Sequence, residues 1–130
     1  MSKFTSESFK KSLAYATKGI RIAYKSQRNF RMQIFIGSFA LVLAIGLKFS
    51  MVEFCLLFFV IAMVLICELI NSVIEFVLDA TYRNKYSKLV EMAKDMSAGA
   101  VLIATLLSII IGCLLFIGKI YEITAWRFLA

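Results

Sequence analysis

Three apolar stretches of membrane-spanning length constrain this chain more than any other feature. Residues 32–49 are apolar apart from Gln33, Ser38 and Lys48; residues 52–78 are apolar through their first two thirds; residues 98–117 are broken only by Thr105, Ser108 and two glycines. A helix rises about 1.5 Å per residue, so roughly 20 residues cross a hydrocarbon core about 30 Å thick. The first stretch is slightly short by that measure and the other two are ample. The chain contains no proline to break any of them. Apolar types make up 62% of the 130 residues, against about 45–50% in soluble domains. The expected architecture is an all-α membrane protein. It has transmembrane helices at 32–49, 52–78 and 98–117 and a surface helix at 1–31, in a single unit over 1–130. No internal repeat, low-complexity tract or proline-rich linker divides that unit.

The net charge of +7 is distributed unevenly. Lys3, Lys10, Lys11, Lys18, Arg21, Lys25, Arg28 and Arg31 precede the first span, and Arg83, Lys85, Lys88 and Lys94 lie between the second and third. Lys48, Lys119 and Arg127 alone fall on the other side. Lys and Arg concentrate in cytoplasmic loops, so the N-terminus and the second loop are expected inside and the C-terminal tail outside. Phe9, Leu13, Ala16, Ile20 and Tyr24 recur at helical spacing opposite Lys10, Lys11, Lys18, Arg21, Lys25 and Arg28. A helix of that kind lies in the membrane interface, its basic side toward anionic head groups. A basic balance also suits nucleic acid, but a chain mostly inside lipid has little room for the soluble basic face that such binding needs. No nucleic-acid partner is expected. Met1 to Phe9 carries no apolar signal core or small-residue cleavage site, so no removed leader is expected.

Cys55, Cys67 and Cys113 sit singly within apolar runs, in odd number and without paired spacing, and read as packing residues. The chain has no histidine, which excludes Ser-His and Cys-His nucleophiles and most zinc sites. Any chemistry must come from carboxylates, amides and cations. The informative stretch is Glu68-Leu-Ile-Asn71-Ser72-Val-Ile-Glu75-Phe-Val-Leu-Asp79, where residues 68, 71, 72, 75 and 79 share one helix face. A charged residue within a span faces protein or an aqueous cleft and is a functional candidate by default. Glu75 and Asp79 can be read simply as marking the water interface. Glu68 lies about two turns deeper, and interface chemistry covers it poorly. Stacked carboxylates suit divalent-metal or proton handling. The first reading points to magnesium carried by a nucleotide, and the second to a proton-linked transporter, whose acids would be spread through the membrane depth. Lys94 belongs at the depth of Glu75 or Asp79 on the neighbouring helix, where an ammonium can hold a phosphate. The small residues Ser97-Ala98-Gly99-Ala100 that follow permit close helix packing. No Gly-rich phosphate loop is present.

At these residues the sequence resembles the prokaryotic diacylglycerol kinase and undecaprenol kinase family of membrane lipid kinases. Glu68-Leu-Ile-Asn71-Ser72-x-Ile-Glu75-x-x-x-Asp79 and Ala93-Lys94-Asp95-Met96-x-Ala-Gly-Ala-Val-Leu are similar to both family motifs. Gly19 to Arg31 resembles the family's surface segment, and Ser50-x-x-Glu53 the outer turn of the undecaprenol kinase branch. The resemblance implies a homotrimer in a bacterial plasma (inner) membrane. Its active sites would be cytoplasmic, shared between subunits, and would transfer the ATP γ-phosphate to undecaprenol or diacylglycerol. It implies Glu68 as general base, Glu75 as a magnesium ligand, and Asn71, Asp79, Lys94 and Asp95 around the nucleotide, with Tyr15, Lys85, Tyr86 and Ser87 nearby. One position departs: Gln27 stands where the family carries a glutamate that shares the metal. The amide keeps an acceptor oxygen but loses the charge, so a weak or inactive lipid- or nucleotide-binding member is the alternative expectation.

Overall fold

The computed structural model describes residues 2–83 and 87–129, with side chains described for residues 8–83 and 87–125. Among the described residues the chain forms four helices: α1 (Ser2–Ser26), α2 (Arg28–Gly46), α3 (Met51–Tyr82) and α4 (Lys88–Leu129). Three stretches, Arg28–Gly46, Met51–Tyr82 and Lys88–Ala125, are long and apolar enough to cross a membrane. They are apolar nearly all round, as lipid-facing helices must be. Within the chain α3 packs against both α2 and α4.

On α1 Phe9, Leu13, Ile20 and Tyr24 are exposed, and Ala23 is its one buried residue among the described side chains. The apolar stripe read from the sequence is therefore left uncovered by the rest of the chain, as an interfacial helix requires. α1 stops earlier than the 1–31 boundary suggests. Gln27 is extended, with φ −101° and ψ 114°, and its N–H donates to the Ala23 carbonyl at 2.8 Å. The Arg31 guanidinium donates to the carbonyls of Tyr24 (2.9 Å) and Lys25 (3.1 Å). A cation is favoured there, because the last helical carbonyls have no partner within the helix. Arg28 to Arg31 thus form the first turn of α2, which ends at Gly46 and not at the expected residue 49, so the first span is shifted toward the N-terminus and has 19 residues.

The turn to α3 is closed by reciprocal bonds. Ser50 Oγ accepts from the Glu53 N–H at 3.3 Å, and Glu53 Oε2 accepts from the Ser50 N–H at 2.6 Å. This capping box satisfies two otherwise orphaned donors. α3 ends at Arg83, which is left-handed at φ 35°. α4 has 42 residues, or about 63 Å at the helical rise. The predicted 98–117 span is therefore the middle of a helix that continues beyond it on both sides.

The core lies toward the end of the bundle where α2 turns into α3, around Ala44, Leu57 and Val60. The Phe49 and Phe116 rings stack beside it with centroids 4.9 Å apart. Lys119 ties the N-terminal end of α3 to α4, reaching Glu53 at 3.5 Å, and pairs with Glu122 on its own helix at 2.9 Å. α2 and α3 approach closely at Gly37, where a Cβ would lie 2.7 Å from Ile61 Cγ2. The expectation that Ala98 and Gly99 serve close packing fails within the chain for Gly99, around which a Cβ would meet nothing within 4 Å. Cys55 and Cys113 are likewise exposed on the chain's outer surface and do not pack in its core; all three thiols are free.

Candidate functional site

The polar stripe on α3 emerges gradually from the protein. Glu68, Asn71 and Ser72 are buried at 3, 8 and 2% exposure, Glu75 is half-buried, and Asp79 is exposed. From Glu68 to Asp79 the stripe climbs about 16 Å at the helical rise. A buried carboxylate needs partners. Glu68 finds one on α2, where Gln33 Nε2 donates to its Oε2 at 3.1 Å. Its other oxygen makes no hydrogen bond among the described residues. The backbone carbonyl of Glu68 accepts from Ser72 Oγ at 2.9 Å, which keeps that hydroxyl satisfied within α3.

One turn further, Asn71 links α3 to itself and to α4. Its Nδ2 donates to Glu75 Oε1 at 3.3 Å, and its Oδ1 accepts from Ser97 Oγ at 2.6 Å. The Ser97 hydroxyl also lies 3.0 Å from the Lys94 carbonyl, and its single proton serves one acceptor at a time. At the top of the stripe Lys94 pairs with Asp79, at the level the sequence predicts. The ammonium and the carboxylate are 36 and 65% exposed, so they stabilise the fold little and remain reachable from water.

The structure thus brings Glu68, Asn71, Glu75, Asp79 and Lys94 into one ladder on α3 and α4, which Gln33 joins from α2 and Ser97 from α4. It does not draw in the remaining candidates through side-chain bonds. Tyr15 is exposed on α1 and Asp95 on α4. Gln27 precedes α2 with no side-chain cap. Ser87 precedes α4, where its carbonyl accepts from the N–H groups of Val90 (3.0 Å) and Glu91 (3.1 Å). Lys85 and Tyr86 lie outside the described residues.

Two members of the ladder go beyond the sequence reading. Ser97 reads there only as a small packing residue. Gln33 registers only as an interruption of an apolar run, although a lone amide within a span is itself a signal. Its Oε1 is buried without a hydrogen-bond partner, and buried acceptors are rarely left so.

No group of three or more metal-ligating side chains clusters among the described residues. An all-protein cage is thus not on offer. Glu75 and the acids above it nevertheless supply the hard oxygen donors that magnesium takes, one or two at a time, alongside substrate phosphates. The donor set fits a metal delivered with a nucleotide.

A three-span helical protein with a buried carboxylate at one membrane boundary, and acids and a lysine stacked toward the water, has the layout of a membrane enzyme acting at the lipid surface. Comparison with known proteins gives the family. Residues 14–116 match the family described as prokaryotic diacylglycerol kinase. A diacylglycerol kinase of Synechocystis is 38% identical over 105 residues, which are 80% of this chain and 60% of that protein. An undecaprenol kinase of Bacillus subtilis is 32% identical over 112 residues, covering 86% of this chain and 90% of the relative. A diacylglycerol kinase of Escherichia coli is 35% identical over 105 residues, covering 81 and 85%. The chain belongs to the prokaryotic diacylglycerol kinase family of membrane lipid kinases.

Proposed function

We propose that this chain transfers the γ-phosphate of ATP to a membrane lipid alcohol, undecaprenol in preference to diacylglycerol, with Glu68 as the general base. The observation that carries the reading is Glu68 itself, a carboxylate 3% exposed with one oxygen held by Gln33 and the other unbonded among the described residues. The free oxygen takes the proton of the lipid hydroxyl. The alkoxide-like oxygen forms the new bond to phosphorus as the bond from phosphorus to the ADP oxygen breaks. Phosphoryl transfer asks mainly for positioning and for cations around the phosphates. Lys94 supplies one cation, exchanging its pairing with Asp79 for a phosphate oxygen. Glu75, fixed by Asn71, would hold magnesium together with the phosphates, and the metal supplies neutralisation of their charge; Gln27 would offer it only a neutral oxygen. Asp79, Asp95, Tyr15, Lys85, Tyr86 and Ser87 complete the nucleotide surroundings.

The distribution of Lys and Arg supports a cytoplasmic N-terminus and active site in a bacterial plasma membrane. A homotrimer with shared sites follows from the family resemblance. The preference for undecaprenol rests on the Ser50-Glu53 outer turn and on the long coverage of the undecaprenol kinase relative.

The test is transfer from radiolabelled ATP by the purified protein in mixed micelles, offering each lipid with and without magnesium. Labelled undecaprenyl phosphate, lost on chelation, is the expected result; no product with either lipid removes the reading. Gln27 favours a second reading, a member that binds lipid and nucleotide but turns over weakly. It predicts nucleotide binding without product, and product on restoring the acid in Gln27→Glu.

A further inference from the structure

Ser97 is the member of the ladder to which the proposed reaction gives no task. It is half-buried on α4, and its Oγ stands 2.6 Å from Asn71 Oδ1 and 3.0 Å from the Lys94 carbonyl. The two acceptors differ in what they have without it. The Lys94 carbonyl lies within α4, where the helix's own N–H groups serve it. Asn71 Oδ1 has no other donor among the described residues, and Asn71 is only 8% exposed. Buried acceptors are rarely left unpaired, so the hydroxyl proton belongs on Oδ1.

The consequence reaches Glu75 through the amide. An Asn side chain has an acceptor end and a donor end, and a half-turn exchanges them. With Oδ1 held by Ser97, Nδ2 is the end that faces Glu75, and it donates to Oε1 at 3.3 Å. That bond is longer than the usual length of about 2.9–3.0 Å, so Glu75 by itself orients the amide weakly. The opposite orientation would set Oδ1 against the carboxylate, acceptor against acceptor. Glu75 Oε2 makes no hydrogen bond among the described residues. The hold on Oε1 therefore fixes the rotation of the carboxylate and leaves Oε2 open to a cation.

Resting on the kinase reading, in which Glu75 holds magnesium together with the phosphates, we infer that Ser97 is a positioning residue for that carboxylate. Its hydroxyl on α4 sets the orientation of the Asn71 amide, and the amide sets Glu75. Ser97 itself touches neither metal nor substrate.

The test uses manganese, which takes the same oxygen ligands. An EPR titration reads the manganese held by the full-length protein in mixed micelles with a non-hydrolysable ATP analogue. Ser97→Ala should weaken binding about tenfold, the lower end of what losing a metal ligand's supporting partner costs. Ser97→Thr keeps the hydroxyl and should bind within twofold of the parent. In an Asn71→Leu background the Ser97→Ala change should add nothing, because its route to Glu75 is already cut. In steady-state transfer Ser97→Ala should raise the magnesium needed for half-maximal rate by the same factor. Its kcat at saturating magnesium and its undecaprenol KM should stay within twofold, a split that general loosening of the fold would not give. A Ser97→Ala titration that matches the parent overturns the inference. A further loss on adding Ser97→Ala to Asn71→Leu also overturns it, because the hydroxyl would then act by another route, and so does a parent that holds no manganese. Binding needs no turnover. The expected manganese pattern in a protein that transfers no phosphate would therefore sink the kinase reading and leave the Ser97 assignment standing.

Discussion

Replacing Gln33 by leucine separates its role at the site from its role in the fold. The change keeps approximate volume but removes two things at once. One is the 3.1 Å hydrogen bond to Glu68; bonds to charged groups contribute about 1.5–3 kcal/mol. The other is the buried Oε1 with no partner, an arrangement that costs about 1–3 kcal/mol. These contributions have opposite sign and similar size. The thermal midpoint in detergent should therefore move little. Turnover should respond differently, because Glu68 loses the one side-chain bond that orients its carboxylate among the described residues. If that orientation is needed in the transition state, the loss converts to roughly ten- to a hundredfold in kcat. The ATP KM should not change, since the phosphate end of the ladder is several turns away. The assay is steady-state transfer from ATP to undecaprenol in mixed micelles, beside a melting curve on the same preparation. A kcat within twofold of the parent, with an unchanged midpoint, would refute the positioning role.

Three further outcomes follow from the same geometry. Glu68→Gln should abolish transfer while leaving helicity and oligomer mass intact, since the amide keeps the size but cannot take a proton; retained turnover removes Glu68 as the base. Gln27→Glu should raise activity or lower the magnesium needed for half-maximal rate, because a carboxylate is the better magnesium ligand, and identical magnesium titrations would take position 27 out of the metal site. Gly37→Ala should lower the thermal midpoint, because the new Cβ falls 2.7 Å from Ile61 Cγ2 and overpacking costs about 1–3 kcal/mol; an unchanged midpoint would mean that α2 and α3 have slack there.

The spans and the polar stripe were legible because their signals are long. An uninterrupted apolar run defines a crossing helix, and residues 68, 71, 72, 75 and 79 keep to one face wherever the helix sits. Junctions were less legible because single contacts decide them. Nothing in Ser26-Gln27-Arg28 announces that the surface helix stops at Ser26; that depends on Arg31 folding back onto the carbonyls of Tyr24 and Lys25. Gln33 and Ser97 were missed for a related reason. Each is a single polar residue whose meaning comes from a partner on another helix, Glu68 and Asn71 respectively, and the order of residues along one helix does not give its rotation against the next. The cysteines show the converse. Apolar surroundings in sequence suggest packing, but in a helix that faces lipid the outward side is as apolar as the inward one.

The depth of each group makes the arrangement suit a reaction between two phases. A lipid alcohol reaches the membrane boundary from inside and a nucleotide from outside, so a kinase joining them needs its base within the apolar layer and its cations in contact with water. Gln33 lies five residues into α2, about 8 Å along it, and its bond to Glu68 fixes the carboxylate at that depth. The pairing of Lys94 with Asp79 sits on the watery side, about 16 Å further along α3. Asn71 and Glu75 fill the interval. Shortening that spacing would draw the cation toward lipid, where an unpaired charge is expensive. Lengthening it would move phosphate beyond reach of the hydroxyl. The graded burial from Glu68 to Asp79 therefore follows from the solubility of the two substrates in the proposed reaction, and a site with all its acids at one depth could not serve both.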